Sequence, residues 1–227
     1  MNKRHAALAV AVLVSLAARA EAQAGAVNPG FGASLRLAYG LPAGQTTGAT
    51  GDDLSRVFSG SLPIQLDLGY RITPNASVAI YGQYGFGFTA SDLDRICAAV
   101  ATTAGTTVDC SGHDVRLGVE GFWHFQPGQH FDPWVGLGVG YEWMTVSASA
   151  NGVSADVSAH GWEFLNLQLG LDWLVAPSFG IGPFLQVSFG QYGTQEASAP
   201  GQSQSQDITN KGVHEWVQFG LRGTFNL

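Results

Sequence analysis

Glu120 and His124 lie four positions apart in a segment of alternating polarity, and a carboxylate beside an imidazole is the minimal acid–base couple. In an extended chain, four positions span about 13 Å along the axis. The two cannot share a proton at that distance, and a salt bridge is the expected role of Glu120. His130 falls in a turn and His113 at a loop end, where solvated imidazoles are the default. Cys97 and Cys110 bracket the polar stretch CAAVATTAGTTVDC, with no histidine or third cysteine at metal-ligand spacing. Arg36, Arg71, Arg116 and Arg222 and the acids Asp67, Glu120, Glu142 and Asp172 each stand on the polar side of an alternating segment. Their chemistry is ion pairing. No phosphate loop, metal spacing or nucleic-acid motif is present, and no cofactor is implied.

The elements that must position these residues are strands. A period of two marks eight segments, at 31–40, 61–72, 77–88, 114–125, 133–146, 162–175, 178–191 and 214–227. In the second, Leu62, Ile64, Leu66, Leu68, Tyr70 and Ile72 share one face, and Gln65, Asp67, Gly69 and Arg71 share the other. In the last, Val217, Phe219, Leu221, Gly223, Phe225 and Leu227 alternate with polar residues to the end of the sequence. Short links rich in Pro, Gly and Asn join segments two and three, four and five, and six and seven. The other four gaps, 41–60, 89–113, 147–161 and 192–213, are long and rich in Gly, Ser, Thr, Ala and Gln. Long and short links alternate, so all the long loops must leave one end of an up-and-down antiparallel meander.

Residues 1–22 combine Lys3 and Arg4 with an apolar run from Ala6 to Ala18 and small-x-small sites at Ala18-Arg19-Ala20 and Ala20-Glu21-Ala22. This is the form of a secretory signal peptide, which leaves 23–227 as one domain. In an exported chain, Cys97 and Cys110 are expected to form a disulfide, contributing about 3 kcal/mol on the chain-entropy account. Removing Lys3, Arg4, Arg19 and Glu21 leaves 7 basic and 16 acidic residues, a balance that excludes nucleic acid as a partner. Charged residues make up only 12% of the chain, about half the usual share of a soluble domain. No segment after the signal is apolar enough for a transmembrane helix.

This pattern resembles the small eight-stranded outer-membrane β-barrels of Gram-negative bacteria, of the OmpA transmembrane domain, OmpX and opacity-protein type. The resemblance implies an all-β fold: an eight-stranded antiparallel transmembrane β-barrel with short periplasmic turns and long outer loops. It also implies that the final strand (Val217, Phe219, Leu221, Phe225, Leu227) closes the barrel and is read by the assembly machinery. Relatives usually end in an aromatic residue, whereas this chain ends in Leu227. Lipid and lipopolysaccharide are the implied surroundings.

A soluble eight-stranded barrel turns its apolar face inward, but the rows here are too bulky for so narrow an interior. The four arginines and four acids are therefore expected in the lumen as one network. Inward glycines, including Gly136, Gly138, Gly140 and Gly170, could leave wet pockets beside it. Aromatics near the strand ends are expected to form two interfacial belts: Tyr70, Trp123, Trp134, Trp173 and Phe225 toward the turns, and Tyr39, Phe88, Trp143 and Trp162 toward the loops.

Among barrel enzymes, the lipid A deacylases carry His-x-Ser-Asn on one strand. Ser158-Ala159-His160 lacks the downstream Ser-Asn, so no catalytic role is expected. The expected function is a structural, adhesive or ligand-binding one carried by the loops. A narrow solute channel and, behind it, a lipid-modifying enzyme are the alternatives. Asp52, Asp53, Asp92, Asp94 and Asp109 gather in the first two loops, where the default is a solvated surface and the alternative a divalent-cation or lipopolysaccharide-bridging site.

Overall fold

The computed structural model describes residues 29–176 and 178–226. The predicted signal peptide and Leu227 lie outside the described residues. Eight strands form a closed antiparallel ring: β1 (Gly30–Gly44), β2 (Phe58–Arg71), β3 (Ala76–Thr89), β4 (Asp109–His124), β5 (Phe131–Ala150), β6 (Val153–Ala176), β7 (Phe179–Ala199) and β9 (His214–Asn226). Each pairs with its neighbour in sequence until β9, which lies between β7 and β1. Closure runs from Gly32 opposite Asn226 to Gly44 opposite His214, so the first and last strands pair along nearly their whole length.

Burial is inverted relative to a soluble barrel. Phe31, Leu68, Ile80, Val119, Leu137, Leu169 and Leu221 are exposed on the outer face, while Arg36, Arg116 and Glu142 inside are each 1% exposed. Leaving large apolar side chains in water forgoes about 1.5–3 kcal/mol each. A continuous belt of them belongs in lipid, where the closed ring leaves no backbone edge unpaired. Most of the expected girdle residues stand on this outer face, including Tyr39, Tyr70, Phe88, Trp123, Trp143, Trp162, Trp173 and Phe225. Trp134 does not. It is 1% exposed and points into the lumen, because it shares the inward parity of Gly136, Gly138 and Glu142.

Two regions read as irregular loops are ordered. Strands β5, β6 and β7 run well beyond their predicted limits, so that 147–161 is a hairpin rather than a loop. Its turn is Asn151-Gly152, with φ of 51° and 78°, the left-handed pair that a two-residue hairpin requires. A short strand, β8 (Gln202–Asp207), folds back on the end of β7 outside the ring. The gap 89–113 contains a helix. With the single turn Leu54–Val57 taken as α1, this helix is α2 (Ser91–Ala104). It is alanine-rich, with Asp92 and Asp94 in its first turn and Gly105 as a left-handed C-cap at φ 64°, features that favour helix ends.

Candidate functional site

The lumen holds the polar face of every strand in the ring, but not as one network. Its turn-side half is centred on Arg36 of β1. Arg36 Nε donates to Asp67 Oδ2 at 2.8 Å, Nη2 to Glu120 Oε1 at 2.7 Å, and Nη1 to Gln168 Oε1 at 2.5 Å. Gln168 in turn donates to the second oxygen of Glu120 at 2.7 Å, and Gln65 to the second oxygen of Asp67 at 2.7 Å. The guanidinium is thus surrounded by acceptors that are themselves held in place, the condition under which a buried ion pair recovers its desolvation cost. Phe122, Trp134 and Phe184 surround it at 5.4, 5.9 and 5.6 Å from the ring centres.

Nearer the turns, Arg222 of β9 lies over Trp134 at 4.5 Å and contacts Ser34 on β1, with Asp172 Oδ2 at 3.6 Å. Trp134 Nε1 donates to the other oxygen of Asp172 at 3.0 Å. Of the four glycines expected to leave wet pockets, Gly136, Gly140 and Gly170 make room for rings, while Gly138 packs against the Glu120 and Asn166 side chains. A Cβ at Gly170 would collide with the Trp134 indole, and one at Gly136 would sit 2.9 Å from Phe122. Arg71 does not join this assembly. It donates to the carbonyl of Pro74 at 2.7 Å, and no ion pair involves it among the described residues. As the last residue of β2, it lies where the chain turns, with Asp132 and Asp172 near enough to act on its charge but beyond ion-pair distance.

The loop-side half is centred on Arg116 of β4. Three carboxylates meet its guanidinium: Asp114 at 3.1 Å, Glu163 at 3.1 Å and Glu142 at 3.5 Å. Ser188 accepts a further hydrogen bond at 3.0 Å. Tyr81 reaches across the lumen from β3 to donate to Glu163 at 2.8 Å, in space left by Gly118 and Gly140, where a Cβ would strike its ring. Glu142 is also bound by Tyr192 at 2.8 Å and by His214 at 3.0 Å. Asp114, Glu163 and His214 were not among the predicted network residues, and the expected balance of four charges of each sign does not hold. Asp114 and His214 share the inward parity of Arg116 and Arg222. Glu163 does not share the parity of its strand's polar face, because a bulge between Glu163 and Leu165 reverses the phase.

An apolar cap covers Arg116 on the loop side. Leu54 of α1, Phe58, Met144, Ala159, Tyr192, Ile208 and Trp216 form one buried cluster. The Trp216 ring stands 5.3 Å from the Arg116 guanidinium, joining cap to network. Charge pairing thus fills the middle of the lumen, and packed side chains fill its loop end.

The residues weighed for catalysis are separated by the fold. Glu120 is engaged by Arg36 and Gln168, whereas His124 pairs with Asp132 at 2.8 Å. His160 lies on the outer face, hydrogen-bonded to Tyr141 at 2.6 Å, and His130 accepts from Trp173 at 2.6 Å. Cys97 of α2 and Cys110 of β4 are bridged, with Cα atoms 6.4 Å apart. Among the loop acids, Asp92 and Asp53 pair with Arg56 at 3.9 and 3.5 Å, and Asp92 with Arg95 at 3.3 Å. These groups border a cleft of about 520 Å³ between the first loop and α2. Among the described residues, no three His, Cys, Asp or Glu side chains converge as metal ligands.

No protein-family model matches the sequence, and no curated protein matches it. Solved structures do resemble it. Neisserial surface protein A is 12% identical, over 88% of this chain and all of that one, with a TM-score of 0.53. The outer membrane protein OprG from Pseudomonas aeruginosa is 13% identical, over 90% of this chain and 99% of that one, with a TM-score of 0.50. At such identities the likeness is one of architecture: the chain has the fold of the small eight-stranded outer-membrane β-barrels.

Proposed function

We propose that the chain is an integral outer-membrane β-barrel of a Gram-negative envelope, with a closed lumen and a structural, adhesive or ligand-binding role carried by its outer loops. The observation that carries this reading is the double seal, with Arg116 and its three carboxylates beneath the cap of Leu54, Phe58 and Trp216. Solute cannot pass without displacing both, so the work falls to the surface. There the cleft bordered by Arg56, Asp92 and Arg95 offers charged groups over the apolar side chains of Val57 and Ile96, a setting for an amphiphilic ligand. The surroundings in this reading are lipid and lipopolysaccharide, reached through the barrel assembly machinery after removal of residues 1–22. No enzymatic role is assigned.

Conductance in planar bilayers tests the central claim. The purified chain should insert without steady openings of porin size, and such openings would establish the channel reading instead. Unchanged lipid A mass on expression is expected, and an altered mass would establish a lipid-modifying enzyme. Outer-membrane fractionation, with faster gel migration before boiling than after, tests the location.

A further inference from the structure

We propose that the turn end of the lumen holds a small inorganic anion, of the size of chloride, between Arg71 and Arg222. A cavity of about 40 Å³ lies there, with Ser34, Arg71, Ser77, His124, Arg222 and Thr224 in its wall. By the same measure a water needs about 10–15 Å³, so the space suits one monatomic ion or a few waters. The lining is rich in donors: two guanidiniums, three hydroxyls and an imidazole. Asp67 also borders it, but its oxygens already accept from Arg36 and Gln65.

Both guanidiniums are short of partners. Arg222 is only 4% exposed, yet its Nη1 has no hydrogen-bond acceptor. Asp172, at 3.6 Å from that atom, is held by Trp134 and Thr224. Arg71 has the Pro74 carbonyl and, among the described residues, no acid within ion-pair distance; Asp132 and Asp172 act on it only from farther away. His124 is fixed through Nδ1 to Asp132, leaving its Nε2 uncommitted. A buried charged donor without an acceptor is costly, and two guanidiniums on one cavity repel each other. An anion between them removes both penalties, and it enters from the turn end without disturbing the two seals above. The inference does not depend on what the loops bind.

The test follows thermal unfolding of the chain refolded in detergent, in sodium chloride, bromide or gluconate at one ionic strength. Halides should raise the midpoint saturably, by about 2–4 °C over gluconate. Arg71→Gln, a change at a partly exposed position, should refold and lose this rise, and Arg222→Gln should lose it too. Crystals grown in bromide should show an anomalous peak between the two guanidiniums. An equal halide response in wild type and Arg71→Gln, or bromide density absent from the cavity, overturns the proposal.

Discussion

Arg116 is the side chain whose loss the barrel should tolerate least. Its removal leaves Asp114, Glu142 and Glu163 facing one another without their shared cation. Stranding a buried partner costs about 3–5 kcal/mol. Arg56→Ala on the loop surface should cost about 0.5 kcal/mol or less, since its pairs are solvent-exposed. Denaturant titration of the compact gel form of both variants checks this, and equal midpoints would refute a lumen held by Arg116. At this scale the sequence was partly legible. Alternation placed Arg36, Arg222, Glu120, Glu142 and Asp172 inward correctly, and it applies equally to Asp114 and Trp134. Trp134 was assigned to the belt by residue type rather than by parity. Glu163 was not legible at all, because the bulge beside it turns an apparently lipid-facing position inward.

At the scale of elements, alternation is a signal of two unlike environments, and it ends where the environments become alike. Above the membrane both faces of β5, β6 and β7 meet water, so Ser147 to Ala150 and Val153 to Ser158 keep the ladder without the pattern. Asn151-Gly152 was the remaining clue to that hairpin. Helix α2 left little pattern either, because it is barely packed: Ile96 is 62% exposed and Val100 49%. Its tether is the bridge to Cys110, and the bridge lies outside the apolar belt. A Cys97→Ser, Cys110→Ser double variant should therefore insert normally while α2 becomes sensitive to protease. Loss of the heat-modifiable form in that variant would show that the helix supports the barrel. Strand β9 is the contrary case, since both of its neighbours depend on it. Deleting Gly223 to Leu227 exposes backbone groups in lipid at several kcal/mol each. Membrane levels of the truncated chain should fall to near zero, measured by fractionation and blotting.

For the whole molecule, the lumen is filled in layers, ion pairs in the middle and an apolar cluster at the loop end, and the layers can be separated by mutation. Leu54→Asp should loosen the apolar cap and leave the ion-paired middle intact, so the variant should conduct no more than wild type in planar bilayers. A steady conductance from Leu54→Asp alone would mean that the cap is the only barrier. The layers also constrain the order in which the barrel forms. Arg222 on the last strand contacts Ser34 on the first across 188 positions, and Arg36 reaches Gln168 across 132. Contacts so distant in sequence form late, after the loop-closure entropy has been met. Until β9 docks, the guanidiniums and carboxylates of the open sheet remain hydrated. Closure must therefore shed that water in a single late step, and the slow phase of refolding in lipid should be the one that Arg222→Ala changes.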